Sequence, residues 1–259
     1  MKRSPFLLAA FSVVFTFLLG PFLIILIASF SGDASMAFPP KGFSLQWFQK
    51  VLDVRMFRDA FWTSLQLAVA STVSALVLGT PVAYALVRFK FRGQNIVEIL
   101  FSLPAIVPEL VLGFGLLQYF ALRMNMPIFP GLYFGHTAIL FPYAVRVVST
   151  SLRNFDPAIE EAAISLGASR LKSFLLIVMP NLRAALLAAF ILAFITSFNN
   201  VSVSLFLTGP GVATLPIQML AYMEMYFDPT IAALSSIIIV ITFAIVQIAE
   251  RTFGISQHI

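Results

Sequence analysis

Six stretches of this sequence are nearly free of charge and long enough to cross a lipid bilayer, and no other feature constrains the fold as much. A bilayer core of about 30 Å takes about 20 apolar residues as a helix. The stretches predict spans over 6–30, 60–87, 96–122, 128–152, 184–207 and 229–250, which makes the chain a single all-α, polytopic transmembrane bundle. Glu98 and Glu109 are the only charges within 96–122. The stretch 128–145 is interrupted by Pro130, Gly131, Gly135 and Pro142, and the uncharged run 184–223 is broken in its second half by Gly209, Pro210, Gly211 and Pro216. Composition agrees: only 10% of residues are Asp, Glu, Lys or Arg, against about 25% in soluble domains. A soluble globular domain and a disordered chain are both excluded.

The first stretch follows Lys2 and Arg3, as a signal peptide would. Its apolar part runs to Phe30, past the roughly 7–15 residues of a signal core, so it reads as an uncleaved span. With six spans both termini share one side. Loop assignment puts eleven Lys and Arg on that side and five on the other, which accounts for all 16. The positive-inside rule then places both termini in the cytoplasm. The net charge of +5 is therefore topology and not a nucleic-acid site. With no Cys, and His136 far from His258, no metal-ligand spacing exists. Trp47 and Trp62 are expected at the membrane interface. His136 is expected to be interfacial, and Tyr222, Glu224, Tyr226 and Asp228 to form a solvated rim on the outer side.

One inner loop, residues 154–183, is long enough to hold structure of its own. Asp156 before Pro157 starts a helix, with a side-chain acceptor at the N-cap and a ring already at helical φ. Glu160 and Glu161 fall near its positive end. Ile159, Ala162, Ala163 and Leu166 repeat at helical spacing, which predicts one apolar face. Gly167 supplies a left-handed stop, Ser169 can cap a second helix, and Pro180 breaks it. A helix meant to lie in lipid carries large apolar residues and a basic polar face. Here the apolar face is small and the polar face acidic, which favours a protein partner.

Glu161-Ala162-Ala163, then three residues, Gly167, nine residues, Ile177, and Met179-Pro180 resemble the EAA loop of ABC importer permeases, with Met179 where that pattern has Leu. The likeness covers most of the chain from the second span onward, and residues 201–220 (VSVSLFLTGPGVATLPIQML) most resemble permeases of the spermidine/putrescine type. The resemblance implies a binding-protein-dependent importer of the type I fold in the bacterial inner membrane. It implies a second permease subunit, a cytoplasmic ABC ATPase dimer and a periplasmic solute-binding protein as partners. Glu160, Glu161, Ala162, Ala163, Gly167 and Pro180 become the ATPase-coupling residues. ATP and Mg would belong to the ATPase. No GxxxxGK[ST] stretch occurs here, so the chain is expected to be a transport subunit and not an enzyme.

Glu109, Asn199 and Asn200 are the candidates for the substrate pathway. A carboxylate inside a span is costly and marks a pathway or a bridge to a cation. Amides in a span either line a path or join helices. Polyamine permeases carry acidic residues around these positions, and Asn199-Asn200 stands where the resemblance implies an Asp pair. One carboxylate with two amides suits a monocation, a zwitterion or an amino-acid-like or opine-like solute better than spermidine. The rival from another class, an ion-coupled secondary transporter or channel, would need several intramembrane carboxylates or two inverted halves.

Overall fold

The computed structural model describes residues 5–35 and 37–253. Lys2, Arg3 and His258 lie outside the described residues. Every regular element among those described is helical, with only isolated bridges, Ser31 with Phe43 and Gly209 with Val212, besides.

Four helices are long and apolar enough to cross a membrane alone: α1 (Pro5–Ala28), α3 (Arg55–Arg88), α6 (Ile128–Asn154) and α13 (Thr230–Phe253). A short amphipathic helix, α2 (Gln46–Asp53), precedes α3. Two further candidate crossings are bent pairs, so the described residues hold up to six spans if each pair counts as one. In the first pair, α4 (Gln94–Ile106) meets α5 (Glu109–Leu116), which continues as a π-helical turn, Leu117–Arg123. The pair bends by 94°. Residues 96–122 are thus not the single straight helix expected. The cause is Pro108. Its ring disfavours a helical Val107, which sits extended at ψ 133°, and the next helix restarts at Glu109.

The second pair joins the loop helices to α10 (Arg183–Phe198), bent by 70°. Before it come α7 (Pro157–Ser165), α8 (Arg170–Ser173), the π-helical turn Phe174–Val178 and α9 (Met179–Asn181). The span expected over 184–207 also departs from one helix. α10 stops at Phe198, residues 199–203 are irregular, and a single turn follows, α11 (Ser204–Leu207), before α12 (Leu215–Met225).

The chain divides into two units. In the first, the described residues up to Arg58 together with Gln218–Gln247, the indole Nε1 of Trp47 donates to the Ser31 carbonyl at 2.7 Å. Trp47 is therefore buried at 7% exposure rather than interfacial. A buried indole keeps its N–H paired, and here the turn after α1 offers the acceptor. In the second unit, Asp59–Ile217 with the segment from Ile248 on, α3, α6 and α10 share two apolar clusters. One holds Leu67, Leu132, Leu140, Val203 and Leu207, and the other Leu86, Val148, Leu152, Val178 and Leu182. Small residues let the helices close up. A Cβ on Gly79 would lie 3.0 Å from that of Ala144, and one on Gly135 would lie 2.8 Å from Leu207 Cδ1.

Candidate functional site

The loop helix α7 begins as its sequence demands: Asp156 accepts from the Ala158 N–H at 2.9 Å, with Pro157 in the first turn. It stops at Gly167, whose φ of +94° is left-handed. Ser169 then caps α8 through the Lys172 N–H at 3.3 Å. The faces of α7 are reversed from ordinary amphipathic packing. Ile159 and Leu166 are 48% and 90% exposed, with Ala162 and Glu161 open beside them. Glu160 points inward and is 5% exposed, on the same side as half-buried Ala163 and Ile164. Pro180 is exposed in α9.

The inward Glu160 is fully answered. Tyr84 Oη donates to its Oε1, and Arg88 Nε donates to its Oε2 at 3.2 Å. Arg88 Nη2 also donates to the Phe155 carbonyl at 3.1 Å, and its guanidinium lies 5.7 Å from the Phe155 ring centre. Tyr84 packs on Phe174 at 4.7 Å between ring centres. Tyr84 and Arg88 are four residues apart on α3, so they share one helix face. Neither was singled out from the sequence, where Arg88 counted only towards topology. The i, i+4 Tyr-Arg pair at the end of a span was the available signal.

The second site lies at the bend of the α4–α5 crossing. Glu109, the first residue of α5, is half-buried, and a carboxylate is favoured at a helix N-terminus. Its Oε2 accepts from Asn200 Nδ2 at 2.8 Å. Asn200 Oδ1 in turn accepts from the N–H groups of Val203 at 3.0 Å and Ser204 at 3.4 Å, which caps α11. Gly113 permits this approach, because a Cβ there would lie 3.0 Å from the Ser202 carbonyl oxygen. Of the two amides only Asn200 is buried; Asn199 is exposed. The structure thus joins Glu109 to Asn200 and leaves Asn199 outside.

His136 is not interfacial but fully buried. Its Nδ1 lies 2.8 Å from Ser197 Oγ and its Nε2 3.0 Å from Ser204 Oγ. It therefore holds both sides of the break between α10 and α11. In the first unit, Asp228 takes an ion pair from Lys50 at 2.7 Å and a bond from Tyr222 Oη at 3.1 Å. Burial alone would raise the Asp228 carboxyl, but bonds from Lys50 and Thr230 outweigh it and hold the group below its ordinary value. The bond to Asp228 raises Lys50. Tyr222 is 3% exposed, so neither it nor Asp228 belongs to the solvated rim expected there.

Among the described residues no group of three His, Cys, Asp or Glu could hold a metal ion. Residues 75–253 match the family model for the binding-protein-dependent transport system inner membrane component. This chain belongs to that family. As its members are, it is the membrane permease component of a binding-protein-dependent ABC importer, of the all-helical permease fold. The permease is 32% identical over 244 residues to the putrescine transport system permease protein PotI of Escherichia coli (strain K12), covering 92% of this chain and 86% of that one. It is 29% identical over 235 residues to the spermidine/putrescine transport system permease protein PotC of the same strain, covering 91% and 89%. The putative 2-aminoethylphosphonate transport system permease protein PhnV of Salmonella typhimurium is 28% identical over 242 residues, covering 92% of this chain and 89% of its own. The fold matches that of a bacterial alginate ABC transporter in complex with its alginate-bound periplasmic protein, with a TM-score of 0.74 at 15% identity, over 95% of this permease and 91% of that chain. It also matches the methionine ABC transporter MetNI, with a TM-score of 0.64 at 18% identity, over 77% and 95%.

Proposed function

We propose that this permease imports a small solute bearing an ammonium group, with putrescine as the first candidate. One observation carries the reading. Glu109 is a carboxylate in a membrane crossing, and its side-chain partner among the described residues is a neutral amide, not a cation. Such a charge is costly in hydrocarbon, and a passing ammonium would neutralise it. The solutes named for the relatives, putrescine, spermidine and 2-aminoethylphosphonate, all carry an ammonium group. Asn200 holds the carboxylate in place while leaving its charge unmatched.

In this reading both termini are cytoplasmic, following the eleven-to-five distribution of Lys and Arg. α7 then faces the cytoplasm and docks in an ABC ATPase dimer that binds ATP and Mg. Its exposed Ile159, Ala162 and Leu166, with Glu161 at the rim, suit a partner groove. Gly167 sets the turn angle after it. A second permease completes the translocation path, and a periplasmic binding protein delivers the solute.

Uptake of labelled putrescine, spermidine and 2-aminoethylphosphonate by the assembled importer tests the substrate class. Glu109→Gln keeps the acceptor for Asn200 and removes the charge. It is expected to lower uptake about tenfold or more, equivalent to at least ~1.4 kcal/mol, with assembly intact. Wild-type uptake by an assembled Glu109→Gln importer removes Glu109 from the path.

A further inference from the structure

Glu160 and Glu161 are adjacent, yet they face opposite ways. We infer that Glu160 is a positioning residue, a latch through which movement of α7 is passed to the inner end of α3, and that Glu161 alone of the two meets the ATPase. The inference rests on reading α7 as the coupling helix.

Three features separate a latch from a passive contact. Glu160 uses both carboxylate oxygens, and both donors come from α3. The side chains are enclosed, with Arg88 14% and Glu160 7% exposed, so solvent screens the pair little. Arg88 also holds the Phe155 carbonyl just ahead of the α7 N-cap. α7 is therefore tied at its N-terminal turn and within its first turn to one neighbouring span. Past the helix, Gly167 and Leu166 are exposed, so a push on the exposed face of α7 reaches α3 through these side-chain bonds. Ring contacts of Phe89 with Arg170 at 5.5 Å and with Tyr84 at 5.9 Å complete the grip on the same end of α3.

A structural ion pair would matter only for folding, whereas a latch sets how much transport each ATP drives. The test is therefore the coupling ratio, solute imported per ATP hydrolysed, in proteoliposomes holding the full importer. Glu160→Arg is expected to keep the ATPase bound but lower the ratio about tenfold. The swap Glu160→Arg with Arg88→Glu should restore most of it. Tyr84→Phe keeps the ring on Phe174 and removes one bond, and should lower the ratio severalfold at unchanged yield, so the test survives if Glu160→Arg fails to fold. Glu161→Arg should instead release the ATPase. An unchanged ratio in Tyr84→Phe, or loss of ATPase binding in Glu160→Arg without rescue by the swap, overturns the latch. If Glu161→Arg retains the ATPase with full coupling, the coupling-helix reading falls and the latch with it. Stimulation of ATP hydrolysis by the loaded binding protein reads the same variants without depending on which solute is carried.

Discussion

Glu160 and Glu109 both stand in the first turn of a helix and both are withdrawn from solvent, but the chain answers them differently. Glu160 meets a guanidinium and a phenol from one helix. Glu109 meets a single amide. In the readings proposed above, the carboxylate with its countercharge supplied by the same chain works mechanically, and the one held by a neutral group keeps its charge for an arriving solute.

The largest effect should come from breaking the matched pair. Glu160→Ala strands the Arg88 guanidinium in an enclosed site, and removing one partner of a buried pair costs about 3–5 kcal/mol. Thermal unfolding in detergent should show it. Glu109→Gln, which leaves the Asn200 bond possible, should stay within about 0.5 kcal/mol of the native chain while uptake falls. If the two variants exchange these phenotypes, the distinction between latch and pathway fails.

His136 sharpens the comparison from α6, where it faces the break between α10 and α11. It touches no charge, so any effect of removing it belongs to the scaffold. His136→Ala opens space and leaves Ser197 and Ser204 without their shared partner. A loss of about 2–4 kcal/mol follows from cavity and hydrogen bonds together. Asn200→Leu comes next, at about 1–3 kcal/mol, because it uncaps α11 and takes the amide from Glu109. The exposed Asn199→Leu should cost no more than about 0.5 kcal/mol. Equal losses at the two amides would show that the cap is idle.

Much of this was legible in the sequence because it depends on local rules. Asp156-Pro157, Gly167 and Ser169 fixed the ends of the loop helices, and the structure has each in that role. Pro108 lies in the third crossing, but a proline does not say how far a chain will turn, and the 94° bend came only with the structure. Glu109, Asn199 and Asn200 stand out in the sequence as polar residues inside apolar spans. The contact of Glu109 with Asn200 needed the tertiary fact that Gly113 lets α5 settle on residues 202–206. The apolar stripe expected on α7 is split: Ile159, Ala162 and Leu166 are exposed, while Ala163 turns inward beside Glu160. Periodicity gives a face and not its direction, so the inward turn of Glu160 depends on where α3 presents Tyr84 and Arg88. His136 was misplaced because a lone polar residue near a predicted span end looks interfacial. Its partners, Ser197 and Ser204, lie on a later span that the sequence joins to it only through folding.

Asp228 gives the smallest and most readily titrated case. It is paired like Glu160, but its partner Lys50 has a side chain 41% open to solvent, against 12% for Asp228. Screening and side-chain entropy limit such a pair to about 0–1 kcal/mol. The folded Asp228 lies below its ordinary 3.8. Its contribution is therefore complete above that value and is lost as pH falls through the lower folded value. Lys50 lies above its ordinary 10.5. Its contribution is complete below that value and is lost as pH rises through the higher folded one. Stability from this pair should then be flat from about pH 5 to pH 9, and transport assays in that range should not see it. Asp228→Asn should cost no more than about 1 kcal/mol at neutral pH and should lose less stability than the native chain on acidification below about pH 4. Unfolding temperatures measured from pH 3 to pH 7 decide it. Identical acid limbs in the two proteins would mean that Asp228 gains nothing from Lys50, and that among these carboxylates only the enclosed Glu160 draws stability from its cation.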